Sequence, residues 1–468
     1  MAACSPLPIR AATALHWAIK VMTASRQAFI VAAAFFLEVL DATILIPALP
    51  AIAISLHADI SVVTVTMAAY VGALAVFTPW GAYVFPRAGV MRKMLYGLLM
   101  SLIASLLCAL CTQVSTLLLC RVLQGAGSAL VVPAGRALVL SQARKEEIPV
   151  LMSYLVWPAL FAPIMAPMAG GYLAEQLGWQ AIFVLIALLT LGVIAMVYAG
   201  IPPVVLDHAS DRARQLTHQS RWSVAALAVF LFFFCVGSQH ASGAVLCLSV
   251  ASWLFYTFYR QAARLDSALF GSDLFRFGLI SGSFFRVAIY CFPSLLSLAL
   301  ITQFTYSPSS AGQCLLFIFL GNVLAKPVAA WTLKRSVALH RFFWFGGLMT
   351  LASVVAFLLP AVACQPRLVY LLCILHGVAR SFLFLAYSSV SFYALPAAQL
   401  YKANGYVGSM MQVNALIGQS IPALLLIVMA PDMHVPTGDF LTLSISMVAV
   451  LLLAAIVSQD RRALQCRH

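Results

Sequence analysis

Two carboxylates stand where a membrane-spanning segment would have its middle. In the apolar run 31–50, VAAAFFLEVLDATILIPALP, Glu38 and Asp41 are three residues apart, so in a helix they share a face. A carboxylate at the centre of a spanning helix costs about 2.5–3.5 kcal/mol on insertion scales, and such residues usually face a bundle interior or a watery cavity. The pair is expected to look into a cavity where a proton or a cationic solute binds. The alternative is structural: two acids that satisfy Arg side chains or backbone groups on neighbouring helices.

Three further stretches carry chemistry. In RVLQGAGSALVVP, residues 121–133, the spacing sets Arg121, Gln124 and Gly125 on one helical face, so a charge, an amide and bare backbone point the same way and suit a proton relay or polar solute. The glycines can equally serve close helix contact alone. Ala162, Ala166 and Gly170 recur every four residues beside Gly171, a stripe for tight helix packing, while Pro163 and Pro167 remove backbone donors and bend the helix. Arg286 and Arg380 lie deep in apolar segments, either as clamps or as groups that act in coupling.

Composition fixes what must position these groups. Of 468 residues, 63% are hydrophobic and 9% charged, against about a quarter charged in soluble domains, so the chain is an integral membrane protein. Apolar runs place spans near 28–54, 62–84, 91–111, 115–140, 148–173 and 179–200, then 222–237 and 243–259, then 278–304, 312–333, 342–363, 368–393, 403–429 and 441–457. The layout is six, two and six. It gives a cytoplasmic tail 1–27, an N-terminal six-helix bundle 28–200, a polar linker 201–221, an inserted hairpin 222–260, a C-terminal six-helix bundle 261–457 and a tail 458–468.

Of 27 Lys and Arg, 21 fall in alternate loops and the two tails and only Arg367 on the other side, which puts both termini in the cytoplasm. That placement also accounts for the formal charge of +14 without nucleic acid. The eleven scattered cysteines suit reduced packing residues. No H-E-x-x-H, G-x-S-x-G or P-loop sequence occurs, so the chain reads as no enzyme.

The run LDATI at 40–44 with ALP at 48–50, the RVLQG at 121–125 and the APIMAPMAGG at 162–171 resemble three signatures of major facilitator drug:proton antiporters. The fourteen-span layout, YSPSSAG at 306–312 and GVARS at 377–381 are similar to the branch that includes the EmrB and QacA multidrug exporters. The resemblance implies an all-α fold of two six-helix bundles, here with a two-helix insertion, around a cavity open to each side in turn. It implies proton coupling through Asp41, with Arg121 as the basic residue in proton transfer; Glu38, on the same helical face, is expected to take part as a second acid. Ala162, Pro163, Ala166, Pro167, Gly170 and Gly171 would match the antiporter motif. Gly81, Gly89, Arg92 and Lys93 would match the cytoplasmic gate loop, which here lacks its usual acid.

Gln124, Arg286, Arg380, Phe35, Tyr290 and Gln412 are assigned to the substrate cavity. The function implied is export of amphipathic or cationic small molecules against protons in a bacterial inner membrane, with no cofactor beyond the proton gradient. A periplasmic adaptor and an outer-membrane channel are partners the resemblance suggests. An anionic metabolite is the alternative substrate, because buried bases outnumber buried acids, and a receptor or scaffold on the same fold is a third reading.

Overall fold

The computed structural model describes residues 9–81, 89–142, 148–203, 267–334, 339–357, 365–393, 395 and 397–429. Among these residues every regular element is helical. The N-terminal half consists of α1 (Ile9–Thr43), a 3-10 turn (Ile46–Ala48), α2 (Leu49–Ser55), α3 (Ile60–Gly81), α4 (Val90–Ala109), α5 (Val114–Gln142), α6 (Ile148–Gln176) and α7 (Gln180–Gly200). The C-terminal half consists of α8 (Ser267–Phe270), α9 (Asp273–Thr302), α10 (Pro308–Lys334), α11 (Leu339–Ala356), α12 (Pro366–Tyr393) and α13 (Ala397–Met429).

Among the described residues, eight helical stretches are long and apolar enough to cross a bilayer. Large apolar side chains such as Leu110, Leu119, Leu188 and Tyr198 face outward. In a soluble protein that surface would be a liability; in lipid it is the solvated face. Eleven of the expected spans correspond to described helices, and the other three, 222–237, 243–259 and 441–457, lie outside the described residues.

At the N-terminus the stretch long and apolar enough to cross a bilayer is Arg26–Ser55, in line with the expected 28–54, and residues 9–27 are helical and lead into it, so that α1 is 35 residues long. The spanning stretch itself is not one unbroken helix. It stops at Thr43, passes through the 3-10 turn and resumes as α2, because Pro47 offers no N–H and its ring clashes with the carbonyl four residues back. Pro50 then sits in the first turn of α2, where a missing N–H costs nothing.

Within the first half, α5 packs along both α3 and α4, and α1 along α6. Between the halves, α6 lies against α10 and α3 against α13. The break after α1 is wedged where α6, α9 and α10 meet. With lipid tails as apolar as the side chains, close backbone approach supplies the attraction, and two glycines show it: a Cβ at Gly170 would strike the Ile44 carbonyl and one at Gly171 the Pro308 carbonyl.

Candidate functional site

Asp41, near the end of α1, is 3% exposed, and Arg121, from α5, is fully buried. Arg121 Nη1 donates to Asp41 Oδ1 at 2.5 Å and to Gln124 Oε1 at 2.8 Å, while Nη2 donates to the Asp41 carbonyl at 3.3 Å. Gln124 hands the network on, its Nε2 donating to Ser105 Oγ on α4 at 2.7 Å. Ser105 donates in turn to the Ser101 carbonyl at 2.8 Å, and Cys108 Sγ reaches Gln124 Oε1 at 3.6 Å. Three helices are thereby tied by one charged group.

A fourth helix supplies the floor. The Arg121 guanidinium lies 4.4 Å from the centre of the Tyr70 ring, a cation–π contact strengthened by burial. Tyr70 Oη donates to the Glu38 carbonyl at 3.2 Å and lies within hydrogen-bond distance of Ser128 Oγ, 3.1 Å away, from which it can accept. Gly125 makes this approach possible, since a Cβ there would strike the Tyr70 carbonyl. Tyr70, Ser105 and Ser128 were missed in the sequence. Ser101 and Ser105, one turn apart on an apolar helix, were the available signal; Tyr70 gave none, being one more large residue in an apolar run.

Glu38 is half-buried. With Asp41 it borders a cavity also lined by Leu98, Ser101, Ser128 and Thr190. The space open to the centre of a water molecule is about 20 Å³, room for roughly one water and far below the roughly 300–1,000 Å³ of a small-molecule pocket. The two acids therefore share a cavity, which in this conformation is of the size of a water and not of a drug-like solute. Phe35 and Gln124 are not on its wall. Phe35 is packed within the first half with the Arg136 guanidinium 5.2 Å above its ring, and Gln124 is spent on Arg121 and Ser105.

The remaining cavity candidates lie in the second half or between halves. Arg286 of α9 is 1% exposed. Its Nη1 reaches the Gly278 carbonyl only at 3.5 Å, and its Nη2 has no hydrogen-bond partner. Arg380 of α12 lies 5.0 Å over the Phe319 ring, with Nη1 unpartnered. Tyr290, half-buried, stands on α9 one turn beyond Arg286 with α13 behind it, where Gly418 leaves room for its Cβ. Gln412 is not with them: its Nε2 donates to Thr78 Oγ1 at 3.5 Å and so joins α13 to α3 across the halves. Also unforeseen is buried His376, stacked 4.2 Å from Phe292, with Nδ1 3.0 Å from Ser353 Oγ.

The stripe on α6 faces two directions. Ala162 and Ala166 are fully buried, Gly170 meets the break after α1, and Gly171 meets α10. The carbonyl of Pro167 lies where a Cβ at Gly312 would be, and the helix runs through both Pro163 and Pro167. Just beyond, Glu175 Oε2 accepts from Ser309 N at 3.2 Å, at the first turn of α10. At the opposite end of the bundle, Gly81 ends α3 and Gly89 caps α4. Arg92 is exposed and Lys93 half-buried in the first turn of α4; residues 82–88 lie outside the described residues.

Comparison with known proteins places this geometry. The signature of the Major Facilitator Superfamily matches residues 31–285, more than half of the chain. The putative multidrug resistance protein MdtD of Pectobacterium carotovorum is 25% identical, with 92% of this chain and 94% of that protein covered. The probable transport protein HsrA of Haemophilus influenzae is also 25% identical, over 85% of this chain and 87% of its own length. Among solved structures, a peptide transporter POT bound to sulfate superimposes with a TM-score of 0.68 at 15% identity, covering 92% of this chain and 93% of that one. The nucleoside transporter NupG superimposes with a TM-score of 0.66 at 12% identity, covering 93% and 100%. At such identities the structures speak for the fold alone.

Proposed function

The chain belongs to the Major Facilitator Superfamily, and from that premise we propose that this multi-pass membrane transporter is a proton-coupled exporter of amphipathic small molecules. Relatives named for multidrug resistance along nearly their whole length support export of drug-like solutes. The observation that carries the proton coupling is the Asp41–Arg121 pair at the edge of the small cavity it shares with Glu38. A buried ion pair is poised between two states: removal of one charge strands the other at a cost of several kcal/mol. A proton on Asp41 would release the guanidinium, and Glu38, three residues away on the same cavity, is the group to hand that proton on.

The α6–α10 and α3–α13 faces are the surfaces on which the halves would rock. Glycine-to-backbone contacts keep α6–α10 tight at the end bearing Glu175, and a hydrogen bond from Gln412 to Thr78 links α13 to α3. In the full reading there are fourteen spans, with the pair 222–260 inserted between two six-helix bundles and both termini in the cytoplasm of a bacterial inner membrane. A periplasmic adaptor and an outer-membrane channel would complete export. The test is transport in reconstituted vesicles under an imposed pH gradient. The parent should move solute in exchange for protons, while Asp41→Asn and Glu38→Gln should lose gradient-driven flux; undiminished coupled flux in both variants would refute the assignment.

A further inference from the structure

Among the described residues, the second half of the bundle buries positive charge with no carboxylate paired to it. Between Asp273 and Asp432 the sequence contains no Asp or Glu, so no carboxylate comes from α10, α11, α12 or α13. The single acid of α9, Asp273, sits at its exposed first turn and pairs with Arg276. In the described part of the first half, Asp41 is held by Arg121, Glu38 borders the cavity it shares with Asp41, Asp59 is exposed before α3 and Glu175 is bonded to Ser309. Yet Arg286 is buried and Arg380 half-buried, each with a buried guanidinium nitrogen that has no hydrogen-bond partner. Asn414 Nδ2 on α13, also buried, is a third donor left over.

These donors stand on α12, α9 and α13, with α9 packed against both of the others: Phe292 of α9 stacks on His376, one turn before Arg380, and Gly418, one turn beyond Asn414, lies against Tyr290. Gly282 leaves the space into which Arg286 Nη1 projects. An apolar wall is at hand in Phe319, Phe285 and Phe292. Buried cations are normally paired, and an unpaired donor carries the full desolvation penalty. An oxyanion with several lone pairs satisfies such a set at once, and Arg is the side chain best shaped to hold one.

We infer that Arg286, Arg380 and Asn414 dock an acidic group, a carboxylate, sulfonate or phosphate, carried by the amphipathic solute. The inference rests on the exporter reading and narrows its substrate class to organic anions and zwitterions. A lipid headgroup offers the same chemistry, but the aromatic wall inside the bundle favours a compact solute.

The test uses the full chain purified in dodecyl maltoside, free of added lipid, and three isosteric probes: 1-naphthalenesulfonate, 1-naphthalenesulfonamide and 1-naphthyltrimethylammonium. Calorimetry should show saturable binding of the sulfonate alone. Arg286→Gln and Arg380→Gln should each weaken it at least about tenfold, the loss of one charge-assisted hydrogen bond, with Arg286→Lys retaining part. Should Arg286→Gln fail to fold, Arg380→Gln and Asn414→Leu carry the same comparison. Equal binding of the cation or the amide, no binding of the sulfonate or of naphthoate and naphthyl phosphate, or no change in Arg380→Gln would overturn the inference. So would displacement of the sulfonate by phosphatidylglycerol at trace ratio, which would mark a lipid site.

Failure of the exporter reading looks different. Sulfonate binding that depends on the arginines, in a protein that moves nothing under a pH gradient, would leave the site standing and remove the transport assignment. Gradient-driven flux that persists in the glutamine variants without sulfonate binding would do the reverse.

Discussion

Arg121 Nη1 lies 2.5 Å from Asp41 Oδ1 across 80 residues of sequence, with the guanidinium face on Tyr70 and its edge on Gln124. The pair closes the network that joins α1, α3, α4 and α5, so its charge state bears on how all four helices fit.

Asp41→Asn should therefore cost stability as well as transport, because it leaves a buried guanidinium without its counter-charge. The expected loss is about 3–5 kcal/mol, read as a lowered unfolding midpoint in detergent. The double substitution Asp41→Leu with Arg121→Met removes both charges and should recover most of that midpoint while gradient-driven flux stays absent. Equal midpoints for Asp41→Asn and the parent would mean the pair carries little of the fold.

Tyr70 contributes a ring and a hydroxyl, and two substitutions separate them. Tyr70→Phe keeps the ring under Arg121 and removes the bonds to the Glu38 carbonyl and Ser128, so stability should fall by about 1 kcal/mol. Tyr70→Ala adds a cavity beneath the guanidinium and should cost about 3–5 kcal/mol. Thermal unfolding of the two variants side by side checks the order.

At the α6–α10 face, Gly171→Val forces a side chain into the Pro308 carbonyl and should pry the halves apart there. A Ser310→Cys reporter near the first turn of α10 should react faster with a membrane-impermeant maleimide in the Gly171→Val background than in the parent. Unchanged labelling would show that α6 yields by bending instead.

Glu175 holds the same end more gently. Its carboxylate accepts from Ser309 N at the start of α10, where the helix dipole favours negative charge, but the side chain is exposed. Glu175→Gln should cost less than about 1 kcal/mol. In the same labelling assay it should give a smaller increase than Gly171→Val, and one that disappears at high salt in the parent comparison, because screening weakens the parent's contact as well.

What was legible in the sequence was local. An apolar run long enough for a bilayer is a property of consecutive residues, so eleven helices could be placed without knowing their neighbours, eight of them in stretches long and apolar enough to cross. Spacing of three residues likewise set Gln124 beside Arg121, and the 2.8 Å bond between them lies within one helix. Pro47 announced the break after α1, although the run 28–54 concealed it by being apolar on both sides.

What only the tertiary structure decided was which group each helix turns toward. Glu38 and Asp41 are both acids on one helical face; the rotation of α1 against α5 gave Arg121 to Asp41, while both border the same small cavity. Gln412 looked like a cavity residue, yet its partner, Thr78, is 334 residues away in the other half. Phe35 and Tyr70 were both aromatic residues in apolar runs, and packing put one beneath Arg136 and the other beneath Arg121. In a membrane bundle nearly every face is apolar, so composition tells a helix that it spans but not how far to rotate; that angle comes from glycine contacts and buried charges meeting across the whole chain.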